Sequence, residues 1–223
     1  MDDCCDCRTV QNITMKQKYL QGNQKNILFG IVLIYYIVAV FISYQKHSQW
    51  IFDSFATIGL LVLLYFITKK FYIGVPEFLL LNLWLLLHSF GNFGAYAWSY
   101  GFVGYDNIEH FIFPFALAYT IFNYITHRFK VIDFKKHEHR AVFILFILAT
   151  VTFIGVLHEF VEFSGYEFLP RGDGVFFTGV GDGVGGADIY EDTMTDLLSN
   201  MLGSIAGTVT YYFISKNRKI KDK

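Results

Sequence analysis

Six long apolar runs divide this chain: Ile27–Tyr44, Trp50–Thr68, Phe78–Trp98, Ile108–Ile125, Ala141–Phe163 and Thr193–Ile214. Each is near the roughly 20 residues that carry a helix across about 30 Å of hydrocarbon. Backbone polar groups in lipid must be satisfied internally, and at this segment length the helix is the form that does so. The expected fold is therefore all-α, a polytopic membrane protein built as a six-transmembrane-helix bundle. The chain then divides into a cytoplasmic tail (1–26), a six-span membrane domain (27–214) with a Gly-rich external loop (164–190), and a basic tail (215–223).

Positive charge sets the expected orientation. Arg8, Lys16, Lys18 and Lys25 precede the first run, Lys69 and Lys70 follow the second, and Arg128, Lys130, Lys135, Lys136 and Arg140 follow the fourth. Lys216, Arg218, Lys219, Lys221 and Lys223 follow the sixth, while the opposite side has only Lys46 and Arg171. By the positive-inside rule both termini are cytoplasmic, in a multi-pass protein of the cytoplasmic (inner) membrane. A wrong span count would scramble this split. No A-x-A cleavage pattern follows the first run, so it is expected to remain as an anchor.

Cys4, Cys5 and Cys7 are the three cysteines of the chain. They read as part of a mobile, reduced tail, with metal binding or lipidation as the alternatives. The external loop carries G-D-G-V twice between Gly172 and Gly186. It reads equally as a lid or cation loop and as a flexible connector; Asp173 and Asp182 alone do not supply a calcium loop's spaced oxygens.

Acids, amides and imidazoles gather toward the outer ends of the spans. The third run brings Asn92 to that end and His88 to mid-depth; the fourth opens there with Asp106, Asn107, Glu109 and His110. The fifth ends there with His158, Glu159 and Glu162, and the sixth opens with Glu191, Asp192, Asp196 and Asn200. Residues four apart share a helix face, so Asp192, Asp196 and Asn200 cover about 12 Å of one stripe. That stripe continues through Ser199 to Gly203-x-x-x-Gly207, a small-residue seam that lets helices approach closely.

Bland readings stand beside these. His88 is expected as a packed histidine bonded to a carbonyl, and Asp53 as a helix cap. Asp106, Glu109, Glu162 and Asp192 read equally as solvated groups above the hydrocarbon. His110, His158 and Asp196 lie one to two turns inside, where an unpaired charge costs at least about 2.5 kcal/mol, so they are expected to pair with one another.

The ordered motifs Asp106-Asn107-Ile108-Glu109-His110-Phe111, His158-Glu159-Phe160-Val161-Glu162-Phe163 and Glu191-Asp192-Thr193-Met194-Thr195-Asp196-Leu197, followed by Asn200 and Leu202-Gly203, resemble the YjdF-like family of inner-membrane proteins. That family is similar to the broader VanZ-like group. His158 departs from the resembled pattern, standing where a W-E-x-x-E-like centre has tryptophan, and adds a ligand. The resemblance covers roughly residues 105–210 and implies, through the VanZ-like group, a cell-envelope role such as glycopeptide tolerance.

The chemistry these residues suit is a divalent-metal site for Zn, Mn or Fe, with His110, His158, Glu162, Asp192 and Asp196 as ligands. Glu159, Asp196 and His110 are the candidate catalytic residues, and Asn200, Asp106 and Asn92 the candidate substrate-binding ones. The matching activity is metal-dependent hydrolysis of a lipid or envelope substrate. The alternatives are proton-coupled transport by clustered carboxylates and a non-catalytic, lipid-binding bundle. Membrane lipids are the expected partners, the basic segments meeting anionic headgroups. Nucleic acid is not expected, since the basic segments lack interleaved aromatics. P-loop, dinucleotide-binding and G-x-S-x-G signatures are absent from the sequence.

Overall fold

The computed structural model describes the backbone of residues 5–46, 51–100, 103–128, 136–168 and 187–221, and side chains within 22–46, 51–98, 103–128, 136–164 and 190–215 apart from Phe52 and His127. These residues form an all-α fold: α1 (Cys5–Gln45), α2 (Ile51–Lys70), α3 (Val75–Asn92), α4 (Tyr105–Arg128), α5 (His137–Phe168) and α6 (Ala187–Lys221). A 3-10 turn over Ala95–Ala97 and a two-stranded antiparallel hairpin, β1 (Ser99–Tyr100) with β2 (Val103–Gly104), join α3 to α4.

The third apolar run stops being helical at Asn92, short of Trp98, because Gly94 takes a left-handed φ of 111°. An L side chain resists that conformation, so glycine turns the chain there. The segment expected as a mobile tail is instead continuous with the first apolar helix from Cys5 onward. From Arg8 to Leu20 it contains neither Gly nor Pro, and nothing local breaks the helix. The two G-D-G-V copies lie outside the described residues.

Two apolar clusters organise the bundle. Tyr36, Leu61, Phe78 and Leu85 join α1, α2 and α3. Phe122, Phe143, Ile147, Val151 and Tyr211 join α4, α5 and α6. α4 packs most extensively on α6, and α3 on α4 ties the two halves together. The α4–α6 approach runs through the expected seam: a Cβ on Gly203 would overlap the Phe111 carbonyl, and one on Gly207 the Phe115 carbonyl.

Polar and charged groups are buried beside these clusters, and the exterior is apolar. Asp53, Glu77, Asn82, Glu109, His110, Glu159, Asp196 and Asn200 are all buried. Large apolar side chains face outward along α1 (Ile27, Ile31, Ile34), α5 (Val142, Leu145, Phe153) and α6 (Leu198, Ile205, Val209). A water-soluble protein distributes these classes the other way. Two helical stretches, Gly22–Gln45 and His137–Ser164, are long and apolar enough to cross a membrane by length and composition. The remaining helices carry charged groups within or at the edge of their apolar runs, such as Asp53, Glu77, Glu109 and Asp196.

Candidate functional site

The first turns of α4 bring two networks together back to back. Asp106 and His110 lie four apart on one face, and Glu109 points to another. Pro114 lies inside this helix and has no N–H, so the His110 carbonyl loses its usual intrahelical donor.

His110 is the centre of the α4–α5–α6 network and is 3% exposed. Its Nδ1 lies 3.3 Å from Glu159 Oε1 and 3.2 Å from Asn200 Nδ2. Its Nε2 faces two carboxylates at longer range, Asp106 Oδ2 at 3.6 Å and Asp196 Oδ2 at 3.9 Å. Asp196 is fully buried; its Oδ1 accepts a hydrogen bond from Asn107 Nδ2 at 2.8 Å, while its Oδ2 has no hydrogen-bond partner. Asn107 in turn accepts from the Gly104 N–H at 2.8 Å, which anchors the hairpin end to the carboxylate it holds.

His158 and Glu162 complete the open side, Nδ1 to Oε1 at 3.8 Å, with the His158 ring 5.1 Å from that of His110. Gly155 makes room for this network: a Cβ there would stand 3.1 Å from the Asn200 amide. Two sets of potential ligands overlap at His110. They are His110, His158, Glu159 and Glu162, and Asp106, His110 and Asp196; within each set the ligand atoms lie within 4.8 Å of one another. Two ligands bonded to one ion at about 2.1 Å stand about 3–4 Å apart, so the separations around His110 Nε2 fit a shared cation better than direct hydrogen bonds.

The second network joins α2, α3 and α4. His88 lies between two carboxylates, Nε2 to Asp53 Oδ2 at 2.8 Å and Nδ1 to Glu109 Oε1 at 2.8 Å. Trp84 Nε1 donates to Glu109 Oε1 at 3.0 Å, and the Tyr96 hydroxyl donates to Glu109 Oε2 at 2.6 Å. Asn92 Nδ2 donates to Asp53 Oδ2. Gly91 clears the space for the Tyr96 ring. Asp53, Glu109 and both His88 nitrogens are each engaged, while Asn92 Oδ1 is buried without a partner; the titratable members close on one another rather than forming an open ligand set.

Several expectations change here. His88 bonds to two carboxylates, not to a carbonyl. Asp53 serves His88 and Asn92 rather than capping α2. Glu109, read as solvated or paired, is buried against His88, Trp84 and Tyr96. Asn92 belongs to this second network and is separate from the Asn200 and Asp106 with which it was grouped. Asp192 lies outside both ligand sets among the described residues; burial holds its carboxyl above the ordinary range. Burial, with Glu109 and Tyr35 adding to it, pushes the Tyr105 hydroxyl up to about 12, and that hydroxyl donates to the Leu87 carbonyl at 2.9 Å. The α3 side was legible in part: Trp84, His88, Asn92 and Tyr96 recur at four-residue spacing, whereas nothing in the sequence ties Asp53 and Glu109 to them.

Residues 25–217 match the model of a family described as "Predicted membrane protein (DUF2238)". Neither the curated proteins nor the solved structures contain a match to the chain.

Proposed function

The chain belongs to the DUF2238 family of predicted membrane proteins, the family of the YjdF-like proteins, and on that premise we propose a metal-dependent enzyme of the cytoplasmic membrane. It crosses the membrane six times, keeps both termini in the cytoplasm, and uses the α4–α5–α6 cluster to hold a divalent cation. The outward apolar faces of α1, α2, α3, α5 and α6 support the six-span reading, as do the basic residues gathered at the ends away from the cluster. On this orientation the cluster lies under the outer leaflet, where lipid and envelope substrates are reached from the membrane.

The observation that carries the metal reading is the buried, unpartnered Oδ2 of Asp196 opposite His110 Nε2. A buried polar atom without a partner costs about 1–3 kcal/mol, and a charged oxygen more, and a cation removes that cost. His110 Nε2, Asp106 and Asp196 supply the ligands. His110 Nδ1 then donates to Glu159, which fixes the ring as a carboxylate–histidine pair does in metal sites. The nitrogen and oxygen donors suit Zn, Mn or Fe. A bound cation of this kind acidifies water and polarises a phosphoryl or ester oxygen. Glu159, which also accepts from Asn200 Nδ2 at 3.3 Å, acts by holding His110. His158 and Glu162, at the more open edge, are positioned to hand a proton to a leaving group.

The test is metal content of the purified full chain. Wild type is expected to retain about one Zn, Mn or Fe per chain through size exclusion. His110→Ala and Asp196→Asn lose it, while His139→Ala, on the exposed start of α5, keeps it. Metal-free wild type after reconstitution with each ion, or equal loss in the His139 variant, refutes the site.

A further inference from the structure

At the other end of the bundle from His110, α1, the α2–α3 turn and the second half of α4 line a half-open cavity of about 870 Å³. Three cations from three helices line it: Lys25 from α1, Lys69 from α2 and Arg128 from α4. Lys25 is 8% exposed and donates to the Thr68 carbonyl at 3.3 Å and to the Ile73 carbonyl. An ammonium has three N–H bonds, so one remains. Lys69 stands over the Tyr65 ring at 5.5 Å, and Arg128 is exposed at the rim. Glu77 is the nearby carboxylate; it is buried, accepts from Asn123 Nδ2 at 2.5 Å and acts on Lys25, so the unbalanced charge of the cavity comes from the two rim cations, Lys69 and Arg128.

Two further lining residues show what the cavity lacks. Thr120 is 4% exposed and its Oγ1 has no hydrogen-bond partner, and Asn123 Oδ1 is buried in the same condition. A serine or threonine hydroxyl inside a helix commonly returns its proton to the carbonyl one turn back, as Thr57 and Thr208 do here; Thr120 does not. The α2–α3 turn that forms the wall is itself fixed. Ile73 N–H closes on the Thr68 carbonyl at 2.9 Å around Tyr72 in the left-handed region (φ 55°). The cavity therefore offers cations at its rim, and its wall holds a buried hydroxyl and a buried amide oxygen without partners.

We infer that this cavity binds a phosphate ester bearing free hydroxyls, its phosphate on Lys69 and Arg128 and a hydroxyl toward Thr120 and Asn123. Guanidinium and ammonium groups suit a phosphate, and an amide oxygen suits a donor rather than a second anion. A glycerophosphate headgroup and a soluble glycerol phosphate share this chemistry. Under the proposed orientation the cavity opens at the cytoplasmic leaflet, where basic pockets between helices take anionic headgroups. The inference does not depend on the metal site.

The full chain in neutral detergent is titrated with phosphatidylglycerol, with phosphatidylcholine and, separately, with glycerol 3-phosphate, and binding is read by native mass spectrometry and calorimetry. The expected result is retention of phosphatidylglycerol about tenfold tighter than phosphatidylcholine. Lys69→Gln with Arg128→Gln removes that preference. Thr120→Val, which leaves every charge in place, weakens binding about threefold, the loss of one hydrogen bond. Lys136→Gln, outside the cavity, changes nothing. Competition by glycerol 3-phosphate identifies a soluble ester as sufficient; binding of the lipid alone identifies a headgroup held with its acyl chains. Equal retention of the two lipids with no glycerol 3-phosphate bound overturns the inference. So does a Lys136→Gln effect equal to that of the rim variants, or an unchanged Thr120→Val, either of which reduces the effect to surface charge.

Discussion

Glu109 and His110 are consecutive on α4 and belong to different networks. Glu109 Oε1 meets His88 Nδ1 at 2.8 Å on one side, and His110 Nδ1 meets Glu159 Oε1 at 3.3 Å on the other. Successive residues on a helix diverge by about 100°, so one short stretch of α4 serves as the wall between a closed polar lock and an open ligand set. The first joins the two helical halves of the protein; the second lies within the C-terminal half.

The two networks should respond differently to removal of one member. Glu109→Gln leaves His88, Trp84 and Tyr96 without their shared carboxylate, and breaking a buried pair of this kind costs about 3–5 kcal/mol. We expect a large fall in thermal stability with metal content unchanged in the molecules that remain folded. His110→Ala should show the reverse pattern, a smaller fall in stability with metal lost. Metal content and melting temperature measured on both variants check this, and parallel losses in both variants would contradict it.

The close α4–α6 approach gives a second contrast. Gly203→Val places a side chain against the Phe111 carbonyl, which is backbone and cannot swing aside. The expected cost lies at or above the upper end of the roughly 1–3 kcal/mol range for overpacking. Gly59→Ala, on α2 with nothing near its Cβ position, should instead gain about 0.5–1 kcal/mol from helix propensity. Thermal unfolding of the two variants in one detergent checks both signs.

This seam was legible in the sequence, as were the polar stripe of α6 and the meeting of His110, Glu159, Asp196 and Asn200. Each depends on spacing within one helix or on the cost of charge in hydrocarbon, and both are local properties. The Asp53–His88–Glu109 lock was legible only on its α3 side, where Trp84, His88, Asn92 and Tyr96 recur every four residues. Asp53 and Glu109 come from two other helices, and no period within one segment marks them. The break after Asn92 was hidden for a different reason: Phe93, Ala95, Tyr96, Ala97 and Trp98 are apolar enough to read as continued helix, and Gly94 alone carries the turn.

Alkaline pH should expose Tyr105. Its hydroxyl is pushed up to about 12 by burial, above an ordinary 10.0, so the folded state holds its proton more tightly than the unfolded chain does. The stabilisation is complete below pH 10 and is lost as pH rises toward 12. Tyr105→Phe removes the donor to Leu87 and with it this part of the slope. Unfolding followed between pH 9 and 12 should show the variant less pH-dependent than wild type; identical slopes would assign the alkaline loss to other groups.

Metal removal should act on stability through Asp196. If a cation occupies the space between His110 Nε2 and Asp196 Oδ2, it binds the folded chain and stabilises it by mass action, about 2.7 kcal/mol at a free concentration one hundred times the dissociation constant. Chelation should therefore lower the melting temperature of wild type, and re-addition of the ion should restore it. Asp196→Asn supplies an amide that can meet the same neighbours without the charge, so this variant should begin near the stability of the chelated wild type and respond little to either treatment. His139→Ala should follow wild type through both. A melting temperature indifferent to chelator and ion in wild type, with Asp196→Asn more stable than wild type, would mean that the buried carboxylate is a cost of the fold without a cation to offset it.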